Sequence, residues 1–344
     1  MRVCRWILGG VFLSGCSFDG ASGSFEEIVS IDLGFFGADL LTDETDETVP
    51  EDTAPPEDTA PEWIVDCSNL PEAPTLITQL VAPRGYHDLV FDPKGRIIGS
   101  DGSNLLWSTY DDVWGVFATN TNTIQGMDYL DDGDIVAAST SVASLLRISP
   151  AGGLSILASD IDAYGVIVGP DGMIYAADYD NIYRIDPNSG AKELLVEAPQ
   201  GVRAKSLNFS PDYSRLYFGT YLGNGNVYVV DLDANLNAVS DVLLFAEDVG
   251  AGNYHDAVGV DVCGNLYIPD YDRSNLYRIT PDGVVSTYVD FNFSQYGHAV
   301  KWGHGIGGWR EDAIYMPQPY NNYEVIELII GVPYRTWEGT VIGL

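Results

Sequence analysis

The strongest constraint on the fold of this chain is an internal repeat. A short pattern ending in apolar or aromatic positions recurs as Gly95-Arg96-Ile97-Ile98, Gly133-Asp134-Ile135-Val136, Gly172-Met173-Ile174-Tyr175, Ser214-Arg215-Leu216-Tyr217, Gly264-Asn265-Leu266-Tyr267 and Asp312-Ala313-Ile314-Tyr315. Its third position advances by 38, 39, 42, 50 and 48 residues. Upstream of each copy lies an alternating segment that ends in a turn such as Asp92-Pro93-Lys94-Gly95 or Gly169-Pro170-Asp171-Gly172, where Pro and Gly supply the dihedrals of a tight hairpin. Downstream lies a third strand, as in Asn181-Ile182-Tyr183-Arg184-Ile185 and Asn275-Leu276-Tyr277-Arg278-Ile279, and in most units a fourth, as in Val285-Ser286-Thr287-Tyr288-Val289. Four strands in each of six units, spaced by roughly 40–50 residues, predict an all-β chain folded as a six-bladed β-propeller with four-stranded blades. A low charged fraction, 19%, with 37 Gly and 21 Tyr suits short strands and tight turns better than solvated helices. One such unit is too small to be stable alone, so neighbours must cover its faces and something must close the ring. Residues 75–81 resemble a fourth strand and are expected to complete blade six; the competing closure uses residues 339–344.

The charge is unevenly placed. The chain carries 16 Lys+Arg against 50 Asp+Glu, a formal charge of −34, which excludes a nucleic-acid binder relying on bulk positive charge. Residues 17–66 hold 15 of the acids and no Lys or Arg, and residues 41–62 contain the direct repeat Pro-Glu-Asp-Thr-Ala-Pro at positions 50–55 and 56–61. With almost no large apolar side chains, such a segment cannot offset its ordering entropy, and its prolines and like charges favour extension. We expect residues 16–66 to be a disordered acidic Pro/Thr-rich tether, of which residues 41–62 in polyproline geometry reach about 60–70 Å, and residues 67–344 to be the propeller. Without tether and leader, 35 acids face 14 bases.

Residues 1–15 begin with Arg2 and Arg5, continue through an apolar run from Trp6 to Leu13, and lead into Leu13-Ser14-Gly15-Cys16. The run is too short to span a bilayer but fits a secretion signal. With that ending it resembles a bacterial lipoprotein signal. The resemblance implies cleavage before Cys16, acylation of Cys16 by chains such as palmitate, and membrane anchoring through that lipid; Ser17 in the next position points to the outer membrane of the cell envelope. Cys67 and Cys263 then remain as an even pair in an oxidising compartment, either a disulfide or two separate buried thiols.

Two stretches carry a family resemblance: Ser206-Leu207-Asn208-Phe209-Ser210-Pro211-Asp212 with Arg215-Leu216-Tyr217, and Asp256-Ala257-Val258-Gly259-Val260-Asp261 with Gly264-Asn265-Leu266-Tyr267. They resemble blocks of the calcium-dependent six-bladed propeller superfamily of gluconolactonase, senescence marker protein and luciferin-regenerating enzyme. The resemblance implies a divalent cation, calcium, at the channel mouth, held by a Glu, an Asn and an Asp. Asp256 keeps the Asp position, Lys205 stands in the Asn position, and His87 stands in the Glu position. An ammonium there repels a hard cation that wants oxygen ligands.

The same register defines a ring without reference to any family. The residue before each innermost strand should face the central channel: His87, Gln125, Tyr164, Lys205, Asp256 and His298. Three of the chain's four histidines, His87, His255 and His298, fall at or beside these positions, and His304 follows in Trp302-Gly303-His304-Gly305. A ligand-binding channel with a possible Lys205–Asp256 ion pair is expected, with His87, Asp256, His298 and His304 as candidates for catalysis and Asp256 as the metal candidate. Two weaker motifs read as turn chemistry: Asp231-Leu232-Asp233-Ala234-Asn235-Leu236-Asn237, which lacks the Gly and closing Glu of a calcium loop, and Asp-Tyr-Asp at residues 178–180 and 270–272, whose tyrosines can line a rim. The leading function is a membrane-anchored extracytoplasmic propeller that binds a small molecule, glycan or protein partner at its channel face. The alternatives are a divergent metal-dependent lactonase-type hydrolase and a structural envelope protein with an inert channel.

Overall fold

A computed structural model describes residues 64–344 apart from 81–86, 222–224, 251–253, 272, 292–296, 319–323, 337, 339 and 343–344. The expected signal, Cys16 and residues 16–63 of the expected tether lie outside the described residues. Six antiparallel sheets of four strands each follow one another along the chain as the blades of a propeller. Their innermost strands are Leu89–Asp92, Gly126–Tyr129, Gly165–Val168, Ala204–Phe209, Gly259–Val260 and Lys301–Trp302. Among the described residues the one helical turn is the 3-10 segment Thr140–Val142, and no helix is long and apolar enough to cross a membrane.

The repeated turn does what its residues allow. In blade one the Gly95 amide donates to Asp92 O, and Asp92 Oδ1 accepts from the Lys94 and Arg96 amides, closing the first hairpin. Gly95 has φ +73°, a conformation open to glycine at little cost. Blade four closes the same turn with Tyr213 at φ +58°, its amide donating to Ser210 O. The segment 231–237 is a hairpin loop in which Asp233 accepts amides from Asn235 and Asn237.

The cores lie between blades. Ile167, Tyr175 and Ile182 of blade three pack with Leu207, Phe209 and Phe218 of blade four, and the ring is completed where Leu89, Phe91 and Ile97 of blade one meet Trp309, Tyr315 and Val325 of blade six. Each large aliphatic or aromatic side chain so buried contributes roughly 1.5–3 kcal/mol, which no blade could gain in isolation. Polar links set the spacing near the axis: Asp88 Oδ2 accepts from the Met127 amide at 2.7 Å, Asp128 Oδ2 from the Val168 amide at 2.8 Å, and Asn208 Nδ2 donates to Val258 O at 2.9 Å. Each link joins one inner strand to the next blade.

Both termini take part in closure, by different means. Leu76–Leu80 pairs antiparallel with Glu324–Ile329 and is the outermost strand of blade six, so an N-terminal segment completes the last blade. The competing C-terminal segment, Thr340–Ile342, instead pairs in parallel with Ile64–Asp66, the end of the stretch expected to be tether, in a separate two-stranded sheet. Immediately after that strand, Cys67 is disulfide-bonded to Cys263 of blade five, Cα to Cα 5.5 Å.

Candidate functional site

The six ring positions line one cavity of about 140 Å³ along the propeller axis. Local irregularity aims several of them. Gln125 and Tyr164 stand immediately before the inner strands of blades two and three, whereas Lys205 is a bulge residue inside the blade-four strand, with Ala204 opposite Thr220 and Ser206 opposite Gly219. A bulge re-aims a side chain at the expense of one ladder pair. Gly165 makes the approach possible, since a Cβ there would meet Lys205 O at 2.7 Å. Asp256 and His298 each stand three residues before short inner strands of blades five and six.

Four of the six form a contiguous cluster. The Lys205 ammonium donates to Asp256 Oδ1, and His298 Nδ1 lies 2.7 Å from Asp256 Oδ2. The Asp256 side chain is 3% exposed and that of Lys205 is 10%. Burial alone would raise the Asp256 carboxyl, but the Lys205 ammonium and His298 outweigh it and hold Asp256 well below the usual carboxylate range. Because an ionised carboxylate only accepts, His298 Nδ1 carries the proton of that contact. His87 Nδ1 lies 2.8 Å from the same nitrogen, where a second N–H would clash with the first, so it shares that one proton as a second acceptor and carries its own proton on Nε2. Burial, then the neighbouring His298, push His87 down to about 3, so it is neutral at ordinary pH.

A second acid–base pair lines the same cavity. Lys301 Nζ lies 3.1 Å from Asp88 Oδ2 and donates to Met127 O at 2.9 Å, so the link between blades one and two is tied to blade six. Neither residue stands out in the sequence, because each falls inside or beside an inner strand like many others.

The remaining histidines separate. His255 is buried, its Nε2 pairs with Val249 O at 2.8 Å and its carbonyl accepts from Ser206 Oγ, so it is part of the wall between blades four and five. His304 lines the cavity but lies beyond the inner strand of blade six, packed on Phe91 at 5.4 Å, at the far end of the blade-one strand from His87. It is not brought to the Asp256 cluster, and as a catalytic partner of that cluster it is set aside.

The ion implied by the family resemblance does not fit this mouth. Both oxygens of Asp256 are engaged by nitrogen groups, and the two companion positions present an ammonium and an imidazole. Among the described residues no group of three or more His, Cys, Asp or Glu is arranged to hold a metal. Calcium, which requires six to eight oxygens, has no such set around Asp256, and Lys205 already supplies the positive charge there.

Tyrosines were the least legible part of the site. Tyr179, Tyr221 and Tyr271 directly follow the second strands of blades three, four and five. With Tyr164 and Tyr254 they form one side of the mouth, and the Lys205 ammonium lies 5.0 Å from the ring centres of Tyr164 and Tyr221 and 5.5 Å from that of Tyr254. The repeated Asp-Tyr-Asp signalled two of them. Tyr221, which follows Thr220 instead, shows itself only once the strands are in register.

Fold and site together define a six-bladed β-propeller whose channel mouth carries a buried Lys–Asp–His–His cluster beneath aromatic rings. No protein-family model matches the chain, and no curated protein matches it in sequence. Solved structures do share the fold. It is similar to a gluconolactonase from Xanthomonas campestris, at 14% identity and a TM-score of 0.60 over 75% of this chain and 89% of that one. It is similar to a luciferin-regenerating enzyme, at 13% identity and a TM-score of 0.62 over 78% of this chain and 99% of that one. It is also similar to an auxiliary nutrient binding protein from Bacteroides thetaiotaomicron, at 11% identity and a TM-score of 0.57 over 73% of this chain and 69% of that one. At these identities the likeness establishes the propeller and leaves its chemistry to its own residues.

Proposed function

We propose that the protein is a ligand-binding propeller, anchored to the outer membrane through lipid on Cys16 and held off it by the acidic tether, that takes a small polar molecule or the end of a larger one into its channel mouth. The observation that carries this reading is the convergence of His87, Lys205, Asp256 and His298 on one cavity, with opposite charges paired before any ligand arrives. The cavity, about 140 Å³, is smaller than the roughly 300–1,000 Å³ of pockets that enclose drug-sized molecules. A neighbour named a nutrient binding protein is consistent with binding as the role. The test is titration calorimetry of the purified protein against sugars, sugar acids, lactones and amino acids. Binding lost in Lys205→Met, with the fold retained by circular dichroism, is expected; a panel without any binder overturns the reading.

The Asp256–His298 contact favours a second reading. An imidazole whose Nδ1–H is held by a buried carboxylate is oriented as a general base through its other nitrogen. That arrangement suits hydrolysis of a lactone or ester without a metal. Turnover of gluconolactone that survives chelator and disappears in His298→Gln would establish it; no turnover at any pH from 5 to 9 removes it.

A further inference from the structure

The aromatic rings at the mouth form a continuous arc. Tyr179 meets Tyr164 at 5.3 Å, Tyr164 stacks on Tyr221 at 5.8 Å, Tyr221 meets Tyr254 at 5.1 Å, Tyr254 meets Tyr271 at 5.6 Å, and Tyr271 meets His298 at 5.2 Å. Backbone contacts between blades fix the arc. Tyr179 bridges Ala204 and Tyr221 bridges Tyr254, while within blade four the Tyr221 amide donates to Arg203 O. The five tyrosines are all half-buried.

The arc is one-sided. At the position after the second strand, blades three to five carry tyrosine, whereas blades one and two carry Asp101 and Thr140. On the blade-one and blade-two side the ring positions are His87 and Gln125, which offer hydrogen bonds in place of aromatic faces. A molecule seated in the cavity and reaching out over the mouth meets tyrosine rings along one flank, beginning with Tyr164, and donors and acceptors along the other.

Charge narrows the occupant further. A cation brought to the arc is repelled by the Lys205 ammonium, which lies 5.0 Å from the ring centres of Tyr164 and Tyr221 and 5.5 Å from that of Tyr254. An anion finds that ammonium neutralised by Asp256, on a chain with a large excess of acid. What remains is an uncharged molecule with one flat C–H face and an edge of hydroxyls that both donate and accept. A pyranose has that surface: its axial C–H bonds carry partial positive charge toward the negative face of an aromatic ring, and its equatorial hydroxyls point sideways.

We infer that the channel mouth recognises the end of an uncharged pyranose glycan, with one terminal sugar in the cavity and the next laid against the tyrosine arc. This rests on the proposed reading of the mouth as a ligand site, and it names the class of ligand. The cavity of about 140 Å³ admits a single ring, which makes recognition end-on.

The experiment titrates the purified protein with neutral hexasaccharides of β-1,4-glucose, α-1,4-glucose, β-1,4-xylose and N-acetylglucosamine, and in parallel with galacturonate oligomers, choline and inorganic phosphate. At least one neutral hexasaccharide is expected to bind, its disaccharide more weakly. Tyr221→Ala is expected to weaken binding by about tenfold, and Tyr221→Phe, which keeps the stacking face, by about threefold or less. Unchanged melting of both variants excludes a folding effect, and Tyr179→Ala, which removes the stacking face, serves as a second probe should Tyr221→Ala melt early. Binding by the charged probes alone, or glycan binding indifferent to Tyr221 and Tyr179, overturns the inference. If a lactone or amino acid binds with dependence on Lys205 while no neutral glycan does, the channel remains a ligand site and the glycan assignment alone falls.

Discussion

Two buried carboxylates of blade five, Asp256 and Asp261, lie five residues apart, on either side of the short inner strand Gly259–Val260, and titrate in opposite directions. Asp256, at the channel mouth, faces the Lys205 ammonium and His298 and is held well below the usual carboxylate range in spite of burial. Asp261, in the turn at the other end, accepts only from neutral groups, the amides of Cys263 and Asn265, Asn265 Nδ2 and the Tyr267 hydroxyl, and burial pushes it up to about 6. Both side chains are withdrawn from water. The difference lies in whether a neighbouring blade supplies a compensating charge, and it does so only at the mouth. The mouth therefore draws its charges from several blades, while the hydrogen bonds to the Asp261 carboxyl come from its own blade.

The largest effect is expected from breaking the mouth. Asp256→Ala strands the Lys205 ammonium in the wall, and loss of one partner of a buried pair costs about 3–5 kcal/mol. Urea unfolding should show it, and Lys205→Met combined with Asp256→Leu should recover most of the loss. Equal instability in the single and double variants would mean that packing, not charge, holds the cluster.

Next is the fastening of the turn end. The Cys67–Cys263 bond closes a separation of 196 residues, and the Cys263 amide donates to Asp261 Oδ1. Cys67→Ser with Cys263→Ser is expected to cost about 2–4 kcal/mol while leaving ligand binding at the mouth intact. A change in binding would show that the two ends of blade five are coupled.

The smallest effect is in pH dependence, and there the two ends oppose each other. Asp261 has a folded pKa above its unfolded value, so its contribution is full below about 4 and is lost as pH rises through about 6. Asp261→Asn should remove a fall of up to roughly 3 kcal/mol over that window. His87, lowered to about 3, works the other way: the unfolded chain takes up a proton near pH 6.5 that the folded chain refuses, so stability falls as pH drops from 6.5 toward 3. His87→Gln should flatten that acid limb. Thermal melts of both variants from pH 3 to 7.5 check the signs, and identical curves for the two would contradict them.

Much of this was readable in the residues. The six turn-and-strand copies gave the number of blades, and counting back to the start of each inner strand brought His87, Gln125, Tyr164, Lys205, Asp256 and His298 to one cavity. His255 and His304 show the limit of such counting. Adjacent residues on an extended chain point opposite ways, so His255, next to Asp256, turns into the wall. His304 is carried past the strand to the other end of the channel. The Tyr221 position is aromatic without the flanking acids that marked Tyr179 and Tyr271, and it joined them only through register.

The architecture was legible in the residues alone, because hairpin turns and alternating strands are local and a unit that cannot bury its own faces must repeat until it closes. The chemistry of the mouth came instead from how the blades meet in space. A bulge at Lys205, the approach allowed by Gly165 and the pairing of Asp256 with groups from two other blades set which charges meet and which are cancelled. Those are distances between segments about 40–50 residues apart, and electrostatics depends on distance where periodicity does not.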